Sequence, residues 1–162
     1  MRLGPLLPVH RARLAELLRA TGAFNAEEVE VALSLFDLGD DDYEFVGVFG
    51  EDDRLMGYAC FGPTPSTEGT YDLYWLAVDP ATQGRGYGRA LTREVERVLA
   101  ARGGRLLVAE TSGRADYAAT RAFYLATGYE EVARVHDFYA PADDRILLHR
   151  RLTTRERGVA TR

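Results

Sequence analysis

The chain has no lysine at all: its 20 basic residues are all arginine, a bias that reads as genome composition rather than function. Set against 25 acidic residues they leave a net charge of −5, which argues against a nucleic-acid partner, because phosphate backbones call for a basic surface. Cysteine is nearly absent too. Cys60 stands alone, so no disulfide can close within the chain, which fits a reducing cytoplasm. No apolar run is long enough to span a bilayer, and the short one between Arg2 and Pro8 is no secretory signal. No membrane association is therefore expected, and a cytoplasmic location is. Cys60, His10, His136 and His149 show no ligand spacing, so no metal site is expected either. What remains is ordinary globular composition over 162 residues, with no repeat and no linker, consistent with one domain over 1–152 and a disordered tail over 153–162.

Helix and strand patterns alternate along that domain. Residues 1–7 offer a weak first strand, weakened by Gly4 and Pro5. Val9, Leu14, Leu17 and Leu18 recur at helical spacing up to Gly22, and Asn25 with Glu28 reads as a reciprocal helix cap opening a second helix through Val29, Leu33 and Phe36. Asp37 to Asp42 reads as an acidic loop. A hairpin follows, Tyr43 to Phe49 and Arg54 to Phe61, and then Tyr71 to Val78, apolar on both faces apart from Asp72, as expected of a covered central strand. After a helix over 90–102 come a short strand (105–111), a helix (117–127) and a final strand pair, 131–139 and 146–152. The order predicts an α/β fold with one mixed sheet and helices on both faces.

The chain is organised around Gln83-Gly84-Arg85-Gly86-Tyr87-Gly88-Arg89, between the strand ending at Val78 and the helix that follows. A glycine-rich turn there leaves backbone N–H groups facing one concavity with a helix dipole behind them, a place that binds phosphate. A P-loop needs Lys and then Ser or Thr after its last glycine, whereas Arg89 and Ala90 follow here. A dinucleotide fingerprint needs its third glycine one residue later. Both fail on spacing. The same residues resemble the Q/R-x-x-G-x-G/A motif of the GNAT acyltransferase superfamily, in its usual place between a central strand and a helix. A second stretch, Thr120-Arg121-Ala122-Phe123-Tyr124-Leu125-Ala126-Thr127-Gly128-Tyr129, resembles the same family's late helix. The resemblance covers nearly the whole chain and implies that family's fold, a central mixed, mostly antiparallel sheet flanked by about four helices.

That resemblance implies an N-acetyltransferase that passes an acetyl group from acetyl-coenzyme A (acetyl-CoA) to a primary amine, small molecule or peptide, within a ternary complex. A non-catalytic acyl-CoA sensor on the same fold is the alternative. The backbone from Gln83 through Gly84, Arg85, Gly86, Tyr87 and Gly88 to Arg89 would hold the pyrophosphate. The main chain of Leu76, Ala77 and Val78 would pair with pantetheine like an added strand. Tyr124 would protonate the departing thiolate. Tyr117 stands seven residues before Tyr124, where many members place a cofactor-contacting Asn, so its role is open. Asp72 is the first candidate base. It is the one carboxylate of the central strand, where burial would raise its pKa, and it lies eleven residues before Gln83, as does the glutamate of the histone-acetyltransferase branch. Glu110 is the second candidate, with Thr111 and Ser112 lining the same cleft. Asp37, Asp40, Asp41, Asp42 and Glu44 would edge an acceptor site. The acceptor and the oligomeric state stay open, a homodimer among the options.

Overall fold

Seven strands build the sheet, in the order β1-β2-β3-β4-β5-β7-β6. They are β1 (Arg2–Pro5), β2 (Glu44–Phe49), β3 (Leu55–Pro63), β4 (Thr70–Val78), β5 (Leu106–Ser112), β6 (Glu130–Ala140) and β7 (Asp143–Arg151). Among the described residues four α-helices flank it: α1 (Arg11–Thr21), α2 (Ala26–Leu38), α3 (Tyr87–Ala101) and α4 (Ala118–Ala126). The structure is a computed structural model that describes residues 1–39 and 42–152. Asp40, Asp41 and the tail from 153 lie outside the described residues. β1 does form despite Gly4 and Pro5, pairing antiparallel with β2 from Arg2 opposite Phe49 to Pro5 opposite Val46. Of the four residues only the last is a proline, whose missing N–H matters least at a strand end.

The described residues fall into two compact units, Met1–Gly62 with Leu73–Val95, and Pro63–Asp72 with Glu96 onward. In the first unit the helices are placed by their own sequence signals. Asn25 Oδ1 accepts the Glu28 amide at 2.9 Å and Glu28 returns a carboxylate oxygen to the Asn25 amide at 2.7 Å, the reciprocal cap that starts α2. Leu14, Ala15 and Leu18 of α1 and Val29, Ala32 and Leu33 of α2 recur at three- and four-residue intervals. Each set therefore shares one face, and both pack on Tyr58, Cys60 and Ala77 of the strands. Asp37 is not in a loop, as the acidic run suggested; it sits within α2 and takes a two-pronged contact from Arg11 at 2.7 Å on each prong.

In the second unit β7 pairs antiparallel with both β5 and β6. Leu107 and Ala109 of β5 and Ile146 and Leu148 of β7 alternate inward and are buried, the period of two expected of strands. β6 differs: all eleven of its residues are exposed, and it ends the sheet. β4 also departs from expectation, since only Leu73 and Ala77 are buried and its other residues are half-buried. An apolar sequence on both faces did not mean a fully covered strand.

Candidate active site

The first unit contains the turn between β4 and α3, and its shape is set at Asp79. The Asp79 amide donates to the Met56 carbonyl at 2.8 Å, which ties the end of β4 to β3. The Asp79 carboxylate accepts the Ala81 amide at 3.0 Å, and the Asp79 carbonyl accepts both the Thr82 amide at 2.8 Å and its hydroxyl at 3.0 Å. These bonds wind a single 3-10 turn over Pro80–Thr82. The chain then runs through Gly84 at φ 80° and Gly86 at φ 85°, left-handed conformations that strain any residue with a Cβ. No other atom lies within 4 Å of where a Cβ would stand on either glycine, so the space above them is open.

The first helical bond of α3 runs from the Ala90 amide to the Gly86 carbonyl at 2.9 Å. The amides of Tyr87, Gly88 and Arg89 precede it, where an α-helix has no internal acceptor to offer them. Gln83, Gly84, Arg85, Gly86 and Arg89 are exposed, and Tyr87 and Gly88 half-buried. An open glycine turn, a helix N-terminus and two exposed guanidinium groups give this place the chemistry of an anion site. Just upstream, Leu76 and Val78 are half-buried and Ala77 is buried.

In the second unit Tyr124 lies in α4, 6% exposed, its ring 5.1 Å from that of Tyr129. Burial pushes its phenol well above the ordinary range, so it carries its proton at neutral pH. Tyr58 and Tyr129 are buried with their phenols raised for the same first reason, and among the described residues no group bonds either hydroxyl. A group whose pKa is raised by folding stabilises the fold below its unfolded value and loses that contribution as pH rises. Stability is therefore expected to hold to about pH 10, the ordinary phenol value, and fall above it as the unfolded chain ionises first. Thermal melts between pH 8 and 11 check this; a flat profile would contradict it.

The helix expected over 117–127 begins one residue later, at Ala118. Tyr117 ends a 3-10 turn (Ala115–Tyr117) ahead of the helix. Arg121 spends one nitrogen on the carbonyls of Ser112 and Arg114, at 2.7 Å each, and so fastens the loop after β5. Thr111 and Ser112 are buried rather than lining an open cleft, and the Ser112 hydroxyl donates to Asp143.

The two candidate bases differ in setting. Asp72 is half-buried, not buried as its apolar strand suggested, and its Oδ2 accepts the Thr64 hydroxyl at 2.7 Å. Glu110 is exposed near the end of β5. There the Tyr139 hydroxyl donates to one carboxylate oxygen and Arg145 pairs with the other, while the Arg145 guanidinium lies 4.9 Å from the Phe138 ring centre. Tyr139 and Arg145 carried no signal in the sequence, because they reach Glu110 only through the pairing of three strands. No group of three His, Cys, Asp or Glu able to hold a metal occurs among the described residues.

Residues 11–129 match the acetyltransferase (GNAT) family. The chain belongs to that family. A solved GNAT-family protein from Desulfovibrio desulfuricans is 42% identical and superposes with a TM-score of 0.89 over 94% of this chain and 99% of that one. An aminoglycoside 6′-N-acetyltransferase solved with coenzyme A shares the fold at a TM-score of 0.78 and 18% identity, covering 94% of this chain and 98% of its own. Among curated proteins, the N-alpha-acetyltransferase RimI of Mycobacterium tuberculosis is 40% identical over 88 residues, 52% of this chain. The match spans about half of that relative's length (51%). The chain is thus a member of an acetyltransferase family, with a fold that one solved neighbour shows in complex with coenzyme A. Among its described residues, no helix is long and apolar enough to cross a membrane.

Proposed function

We propose that the chain transfers an acetyl group from acetyl-CoA to a primary amine, and that the amine is the α-amine of a peptide or protein N-terminus. The observation that carries the chemistry is Tyr124, buried in α4 with its phenol proton retained. In this reading the amine lone pair attacks the thioester carbonyl carbon and the C–S bond breaks. The thiolate takes the Tyr124 proton, and the amine's surplus proton passes to a carboxylate, directly or through water. The backbone of Gln83–Arg89 holds the pyrophosphate and the main chain of Leu76–Val78 lies along pantetheine. The choice of an α-amine draws on the relative named for that activity.

Glu110 now stands ahead of Asp72 as the base. It is open to solvent and oriented by two neighbours, and a carboxylate has lone pairs to spare beyond those two. Asp72 is half-buried and engaged with Thr64. The expected result is that Glu110→Gln lowers kcat/KM about 10²-fold, within the range for losing a general base, while Asp72→Asn changes it little. The reverse order would move the role to Asp72. The reading as a whole is tested by thiol release from acetyl-CoA over four acceptors: a peptide with a free N-terminus, the same peptide N-acetylated, a lysine side-chain amine and an aminoglycoside. Release with the free N-terminus alone is expected. Release with none of them would overturn transfer and leave the sensor reading; release with the aminoglycoside alone would overturn the α-amine.

A further inference from the structure

Arg13 lies on α1, 66 positions before Asp79, yet its guanidinium reaches the base of the glycine turn. Its Nη2 donates to Asp79 Oδ2, its Nε donates to the Leu55 carbonyl at 3.1 Å, and its Nη1 meets Glu16 at 3.0 Å. The two partners are largely withdrawn from water, their side chains 19% and 15% exposed. Asp79 has no polar atom idle. Its second carboxylate oxygen holds the Ala81 amide, its amide holds β3, and its carbonyl holds Thr82 twice. Burial alone would raise the Asp79 pKa, but the Ala81 amide and Arg13 outweigh it and keep the carboxyl below the usual range.

The guanidinium is a rigid planar fork. With Nε fixed on a β3 carbonyl and Nη2 on Asp79, it leaves the carboxylate one orientation, the one that caps Ala81 and starts the 3-10 turn. The next links are serial: Thr82 binds Asp79, and the Arg85 amide binds the Thr82 carbonyl at 3.3 Å. Gly84 and Gly86 follow at fixed left-handed angles. A rotation at Asp79 would therefore be passed down the turn to the amides ahead of α3.

We propose that Arg13 is a positioning residue for the turn, holding Asp79 so that the amides of Gly84–Arg89 are presented to the cofactor's pyrophosphate. The inference rests on the reading that this turn takes that pyrophosphate. Removing Arg13 leaves a half-buried carboxylate without its hydrogen-bonded counter-charge, with Arg54 acting on it only through space, and free to release Ala81. The turn then samples more conformations, and the phosphate must order them on binding.

The test is calorimetry with coenzyme A, and steady-state kinetics with acetyl-CoA and with acetyl-pantetheine, which lacks the pyrophosphate. Arg13→Gln is expected to raise the coenzyme A Kd and the acetyl-CoA KM about tenfold. It should leave kcat at saturation within about twofold and the acetyl-pantetheine KM unchanged. Arg13→Lys should recover only part, since one ammonium cannot keep both contacts at fork geometry. Asp79→Asn should give the same increase in Kd, and the double variant no more than either single one, as members of one contact do. Two results would overturn the proposal: unchanged coenzyme A affinity in both Arg13→Gln and Asp79→Asn, or an equal loss with acetyl-pantetheine, which would mark a general structural role. A wild-type chain that does not bind coenzyme A would instead overturn the reading beneath it.

Discussion

Gly86→Val is expected to weaken coenzyme A binding by one to two orders of magnitude and to lower the melting temperature by only a few degrees. The asymmetry follows from two facts about one residue. Gly86 sits at φ 85°, where a β-branched side chain costs about 1–3 kcal/mol of backbone strain, so the turn would relax toward another shape. The space its Cβ would enter is empty of protein within 4 Å, so no core contact is lost or crushed by the new side chain. What suffers is the shape of the turn and the room above it, and those are what a pyrophosphate would use. Gly86→Ala, smaller but strained by the same φ, should fall between the two. Calorimetry with coenzyme A reads the result directly. Equal affinity in wild type and valine variant would place the phosphate elsewhere.

Tyr124→Phe should lower kcat about 10²-fold, within the range for removing a general acid, and leave coenzyme A affinity unaltered. The ring is buried and packs against Tyr129, and phenylalanine keeps that packing, so only the hydroxyl is removed. Because burial raises the phenol's pKa, the wild-type enzyme should show no loss of activity from Tyr124 ionisation up to about pH 10. A Tyr124→Phe variant with full turnover would remove the residue from the chemistry, while one with weakened cofactor binding would make it a packing residue.

The parts of the molecule that were legible in the sequence are those whose cause is local. Asn25 and Glu28 cap α2 as read, because both halves of the bond lie within one turn. The turn at Gln83–Gly88 was legible because glycine is what a left-handed backbone requires, and Gly84 and Gly86 supply it. The succession of helices and strands along the chain followed from the alternation of periods. Readings that depended on neighbours were less secure. Asp72 was expected to be buried because its strand is apolar, but covering a strand takes layers from elsewhere in the chain, and most of β4 stays half-open. Tyr117 falls in a tighter turn than the helical spacing assumed, because the chain leaving β5 must bend before α4 can begin. Glu110, Tyr139 and Arg145 meet only when β5, β7 and β6 pair, and Arg13 meets Asp79 only when α1 lies near the end of β4. No window of sequence contains those pairs.

β6 sets a different kind of limit. It closes the sheet with eleven exposed residues, and among them Val132, Val135, Phe138 and Tyr139 are large and apolar. Such a margin offers a free ladder of N–H and C=O groups to any extended chain that drifts past. What keeps it unattractive is the interleaving of Glu130, Glu131, Arg134, His136 and Asp137, together with the breaks in register near each end of its pairing with β7. Neutralising those five side chains in one strand is expected to shorten the time a concentrated solution stays clear. Light scattering of that variant against the wild type reads the difference; equal scattering would show that the margin is protected otherwise.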